Sequence, residues 1–123
     1  MADAKDPIPT PGHPIEQQAR EQTGEREVRL RIDERNMRTN YANAFRTNGT
    51  AEEVMLDFGV NLMAPPSQPG GQPEMIFQAN ERVIMNYYSA KRLAITLSQL
   101  IRRHEEQFGE LELDVAKRVK KGK

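Results

Sequence analysis

Apolar residues in this chain keep two different periods, and the change from one to the other divides it. From Val54 to Leu62, the residues Val54, Leu56, Phe58, Val60 and Leu62 occupy every second position, the longest strict alternation present, which puts all five on one face of a strand. Glu27–Asp33 alternates in the same way, with Val28, Leu30 and Ile32 set against Arg29 and Arg31, and predicts another strand. Asn40–Thr47 predicts a third, with Tyr41, Asn43, Phe45 and Thr47 sharing a face. Asn48-Gly49 then tolerates positive φ and begins a reversal completed by Glu53. Further on, Met75-Ile76-Phe77 and Val83-Ile84-Met85 are apolar triplets separated by Gln78–Arg82. They predict one strand across Glu74–Tyr87, bulged at the interruption and buried on both sides.

After Tyr88 the period lengthens. Leu93, Leu97, Leu100, Ile101, His104 and Phe108 recur at helical spacing, while Lys91, Arg92, Arg102, Arg103, Glu105 and Glu106 lie mostly off that stripe. Ser89 is the expected N-cap and Gly109 the expected terminator. The helix is then about 20 residues, or ~30 Å at 1.5 Å per residue. Met63–Pro73 holds Pro65, Pro66, Pro69, Pro73 and Gly70-Gly71, so it reads as an exposed loop. The expected fold class is α+β: a four-stranded antiparallel sheet in the order β-β-β-β-α, with one long C-terminal helix packed on one face. Residues 27–111 form this domain. Residues 1–26, with Pro7, Pro9, Pro11, Pro14 and a charged, glutamine-rich stretch, read as a disordered arm in which Ile15 and Ala19 seed at most one helical turn. Residues 112–123 read as a loose, basic tail, with Leu111, Leu113, Val115 and Val119 offering one more short element.

Charge narrows the function classes. The 123 residues carry 18 basic and 18 acidic side chains, without the strong positive balance of a general nucleic-acid binder. Cysteine is absent, which removes disulfides, thiolate nucleophiles and cysteine-bound zinc. The first residues lack the basic and apolar segments of a secretory signal, and no run approaches the roughly 20 apolar residues of a membrane span. A cytoplasmic location is expected.

Candidate chemistry is sparse. His104 is followed by Glu105-Glu106 but lacks the second histidine at i+4 that a zinc-binding helix needs, and His13 stands in the proline-rich arm. Asp57 projects opposite Leu56 and Phe58, with no second carboxylate placed to make an acid–base pair. Gly59 beside it marks a bulge or a close backbone approach. Gly70-Gly71 lacks the context of a phosphate loop, and Asn48-Gly49-Thr50 matches a glycosylation sequon only formally. No catalytic, cofactor-binding or metal-binding set is expected, and the chain reads as a non-enzyme. The more informative feature is a surplus of apolar residues, Met55, Met63, Met75, Ile76, Ile84, Met85, Tyr87 and Tyr88, beyond what one helix covers. Such patches mark partner surfaces, and methionine suits adaptable ones. The expected protein-binding residues are Met55, Asp57, Met75, Ile84, Tyr87 and Tyr88, used by a homo-oligomer, at least a dimer, or by a partner or client polypeptide. The alternative is a nucleic-acid accessory protein acting through the tail Lys117–Lys123.

Five stretches taken in order carry a family resemblance: Tyr41-Ala42-Asn43, Leu56-Asp57-Phe58-Gly59, Arg82-Val83-Ile84-Met85, Ala90-Lys91-Arg92-Leu93 and Glu105-Glu106-Gln107-Phe108-Gly109. Together they resemble a family of short bacterial and archaeal proteins of unknown function, numbered 3467 among such domains, over roughly Val28 to Leu111. Asn86-Tyr87-Tyr88-Ser89 departs from that pattern, where relatives tend to carry a serine-proline pair at the helix entrance. A looser similarity, in element order only, is to the export chaperone SecB, which implies an oligomeric, client-binding sheet-and-helix protein.

Overall fold

The computed structural model describes residues 14–24 and 26–119. Their elements run α1 (Pro14–Thr23), β1 (Ala44–Gly49), β2 (Glu53–Ala64), β3 (Glu74–Asn86), α2 (Tyr87–Phe108) and α3 (Val115–Arg118). The chain divides into two compact units, one ending at Ala90 and the other beginning at Lys91.

The first unit holds an antiparallel sheet in the order β1-β2-β3. Phe45 pairs with Phe58, Arg46 with Asp57 and Gly49 with Val54. The intervening turn is closed by the Thr50 amide donating to the Glu53 carbonyl at 2.9 Å. The Thr50 hydroxyl accepts from the amides of Glu52 and Glu53, each at 3.2 Å. β2 and β3 pair from Glu53 opposite Asn86 to Ala64 opposite Glu74, with one break: Phe58 faces Glu81 and Gly59 faces Ala79, so Asn80 is the extra residue of a bulge. This is the expected bulge, at the polar interruption. Gly59 is buried there. A Cβ on it would run into the Gln78 carbonyl oxygen, so β3 comes this close only because residue 59 has no side chain. The loop over residues 65–73 turns where the Gly71 amide donates to the Gln68 carbonyl at 3.0 Å, with Gly70 at φ +77°.

Among the described residues three strands form, and the expected fourth is not among them. Glu27–Asp33 has no ladder partner among the described residues, and Val28, Leu30 and Ile32 stay 55%, 42% and 62% exposed. Alternation specifies which face a strand would bury, but it supplies no neighbour. Just beyond, Asp33 is held by Arg35 through its amide at 3.1 Å and its Nε at 2.9 Å, and the Met37 amide donates to the Glu34 carbonyl at 3.1 Å, a local turn. The arm also differs from expectation: Pro14–Thr23 is a ten-residue helix. Proline at the first helical position is pre-organised, glutamine, glutamate, alanine and arginine favour helix, and Gln17 bonds Glu21 one turn on at 3.1 Å. Residues 1–13 and 120–123, where the rest of the expected arm and most of the basic end fall, lie outside the described residues.

At the helix entrance the cap is Asn86, whose side-chain oxygen accepts from the Ser89 amide at 2.8 Å. Ser89 is thus the third residue of α2 and not its N-cap, because asparagine already stands where β3 stops. Gly109 ends α2 as expected, with φ +98° and its amide donating to the Glu105 carbonyl at 2.8 Å. Asp114 caps α3, its carboxylate accepting from the Ala116 amide at 3.0 Å. The expected burial of apolar residues is not found. No hydrophobic side chain among the described residues is buried: Ile76, Val83 and Ile84 of β3 are exposed, as are Leu97, Leu100, Ile101 and Phe108 of the α2 stripe.

Candidate functional site

Strand alternation and the pairing register define two faces of the sheet. Val54, Leu56, Phe58, Val60 and Leu62 share one, as their spacing predicts. The other carries Met55, Asp57, Asn61 and Met63 of β2, Arg46 of β1, and Met75, Phe77, Arg82 and Ile84 of β3.

The centre of this second face is ionic. Asp57 lies on the middle strand with Arg46 directly across on one side and Arg82 directly across on the other. Arg46 donates from Nε to Oδ2 at 2.7 Å. Arg82 donates from Nε to Oδ1 at 2.7 Å and from Nη2 to Oδ2 at 2.9 Å, the forked contact that suits a guanidinium to a carboxylate. The two arginine side chains are 61% and 53% exposed and cover a carboxylate that is itself buried, Asp57 being 4% exposed. Hydrogen bonds from Arg82 first and Arg46 second hold the Asp57 carboxyl far below the usual carboxylate range, against a smaller opposing effect of burial, and Arg82 is raised in return. The Arg46 guanidinium carbon also stands 5.8 Å from the Phe77 ring centroid, a cation–π contact that ties the ion cluster to the apolar part of the face. The triad has a net charge of one positive unit and half-exposed donors, so chemically it can orient and bind. Asp57 with its charge committed is a poor proton acceptor near neutral pH.

Apolar groups flank the triad at both ends. Met55 pairs with Ile84, and Met63 pairs with Met75. Four of the six residues expected at a protein-binding surface, Met55, Asp57, Met75 and Ile84, therefore share one face. The two tyrosines stand elsewhere, in the first turn of α2. The Tyr87 hydroxyl donates to the Thr50 carbonyl at 2.8 Å and so buttresses the β1–β2 turn, whereas Tyr88 is 77% exposed. Sequence reasoning missed Arg46 and Arg82. Their signal is an opposite charge at the position that register sets against Asp57, readable only once the pairing is known.

On the opposite face, the segment leading into β1 encloses a cleft of about 330 Å³. Phe58, Val83 and Tyr41 supply its apolar walls, with Arg38 and Glu81 among its polar ones. The Asn40 amide donates to Glu81 at 3.0 Å and pins that segment over the sheet. In the second unit, the His104 and Phe108 rings pack at a tilt of 42° with centroids 4.9 Å apart. Among the described residues, no three histidine, aspartate or glutamate side chains converge as a metal site would need.

The family described as Protein of unknown function (DUF3467) matches residues 10–113. The chain belongs to that family. The DUF3467 match begins ahead of the span the five stretches imply and takes in α1, the whole sheet and all of α2. No curated protein and no solved structure matches the chain, so nothing in these comparisons relates it to SecB. No helix among the described residues is long and apolar enough to cross a membrane.

Proposed function

We propose that this DUF3467 protein is a non-enzymatic, self-associating protein-binding module that works through the Asp57 face of its sheet. One observation carries the reading. The chain buries none of its described hydrophobic side chains, yet Met55, Ile84, Met63 and Met75 stand in register around a hydrogen-bonded ionic centre. Apolar burial is the main favourable term in folding and association, so such a face gains most from a covering polypeptide, either a second copy or a client held in the manner of a chaperone. Methionine side chains adapt to either. The triad supplies orientation rather than catalysis, and the reading places the protein in the cytoplasm. Most of the tail that the nucleic-acid alternative invokes lies outside the described residues. Within the tail, Arg118 donates to its own chain from Nε to the Glu112 carbonyl at 2.7 Å and from Nη2 to the Leu113 carbonyl at 3.4 Å.

Native mass at micromolar concentration tests the proposal, together with light scattering of an aggregating unfolded protein. The expected result is a multiple of 14.1 kDa, with an Ile84→Asp variant shifted toward monomer. A monomer that neither binds nor protects unfolded polypeptide refutes it.

A further inference from the structure

We infer that residues 27–33 form a fourth strand in a two-chain assembly, in which each chain's segment adds to the outer edge of β3 in a second copy. This rests on the self-association proposed above and specifies how it is built.

The segment has the pattern of a strand and no strand partner among the described residues. Val28, Leu30 and Ile32 alternate with Arg29 and Arg31, and all five are exposed. β3 has the complementary defect. It is 13 residues long, and among the described residues only its β2 side is paired in a ladder, which leaves its outer edge for strand addition. Seven residues at ~3.3 Å each span about half of that edge.

Charge selects the orientation. On the Asp57 face, β3 presents Met75, Phe77, Arg82 and Ile84; on the other it presents Glu74 and Glu81 among Ile76, Gln78, Val83 and Met85. A strand laid with Val28, Leu30 and Ile32 on the Asp57 face extends the apolar surface there and puts Arg29 and Arg31 on the side of the two glutamates. Both faces of β3 carry apolar side chains, so hydrophobicity does not choose between the orientations; the reverse one puts both arginines on the side of Arg82, and like charge disfavours it.

The occupant is a second copy. The tether already reaches β3 of its own chain, where Asn40 bonds Glu81. Between that anchor and the segment, however, the Glu34–Met37 turn and the Asp33–Arg35 pair consume most of the connecting residues, and the segment makes no ladder with the described residues of its own chain. Exchange between two chains satisfies both edges with one two-fold operation, and it closes rather than propagating as a fibre.

Amide hydrogen exchange on the wild-type chain, read across a protomer series from about 1 to several hundred micromolar, tests this beside the native mass of a Leu30→Pro variant. Proline removes a ladder donor from a segment that makes no intrachain ladder, and circular dichroism checks that the rest of the fold persists. The expected result is protection at residues 28–32 that rises with concentration and tracks the dimer, with the dissociation constant of Leu30→Pro weakened about tenfold or more. Protection independent of concentration means pairing within one chain and overturns the inference. A dimer with no protection at residues 28–32, or one unaffected by Leu30→Pro, overturns this inference while leaving self-association standing. A chain that stays monomeric throughout overturns both.

Discussion

Replacing Gly59 by alanine puts the closest approach in the sheet under direct test. The added Cβ would overlap the Gln78 carbonyl oxygen and stand 2.8 Å from that carbonyl's carbon and 2.9 Å from the Ala79 Cα. Carbon atoms rest comfortably at about 3.5–4.0 Å, and the oxygen contact is closer still, so β3 must withdraw by more than about 1 Å at the bulge. Every colliding atom is backbone, paired on a strand that also carries Arg82, and no side-chain rotation relieves the clash. Overpacking of this kind costs about 1–3 kcal/mol. At ~4–8 °C of Tm per kcal/mol for a domain of this size, the variant should melt about 4–24 °C below the parent chain at equal protomer concentration. Thermal unfolding followed by circular dichroism reads the shift. The matching control is Gly71→Ala, whose Cβ meets nothing nearer than the Gln68 carbonyl oxygen at 3.1 Å. A Gly59→Ala chain that melts within 1 °C of the parent would refute the bulge geometry.

Three further outcomes follow from the caps and charges. Carbon-detected NMR titration of Asp57 should show its carboxyl rising toward the ordinary aspartate value in both Arg82→Gln and Arg46→Gln, and further in the former, because Arg82 contributes two of the three bonds; equal shifts would contradict the forked contact. Since the Asp57 pKa is depressed in the folded chain, its stabilisation is complete above the unfolded value of about 3.9 and is lost as pH falls toward the folded one. The urea midpoint of the parent should therefore drop below about pH 4 more steeply than that of Asp57→Asn, and parallel curves would count against it. Asn86→Ala should cost ~1 kcal/mol through loss of the α2 cap, whereas Ser89→Ala should stay within about 0.5 kcal/mol; the reverse order in denaturant melts would restore Ser89 as the cap.

How much the sequence disclosed depended on whether the deciding partner was local. The alternation from Val54 to Leu62, the polar break that becomes the Asn80 bulge, and the glycine ending α2 are decided within a few residues of themselves, and each was legible. Val28, Leu30 and Ile32 have the same alternation, but strand formation needs an edge to pair with, which no local pattern supplies. The cap passed from Ser89 to Asn86 because both residue types cap well and only the end of β3 decides between them. α1 was underestimated because prolines before residue 14 suggest an irregular chain, whereas Pro14 itself opens the helix. At the site, Asp57 stood out as a charge within an apolar strand. Its two arginines, 11 residues before it and 25 after it, became visible only through the register.

That register raises a problem which the triad solves. Apolar side chains occupy both faces of β2 and β3, so sliding either neighbour along β2 by one residue exchanges one greasy surface for another, and hydrophobicity does little to oppose it. Asp57 opposes it on both sides at once. A slip of one residue at β1 turns Arg46 to the opposite face, and the same slip at β3 does so to Arg82, leaving a carboxylate whose charge lacks one of its two counterions. The ion cluster thus works as an alignment key: it makes the correct pairing of a two-sided apolar sheet unique, and it holds Met55 against Ile84 and Met63 against Met75 wherever that surface is finally covered.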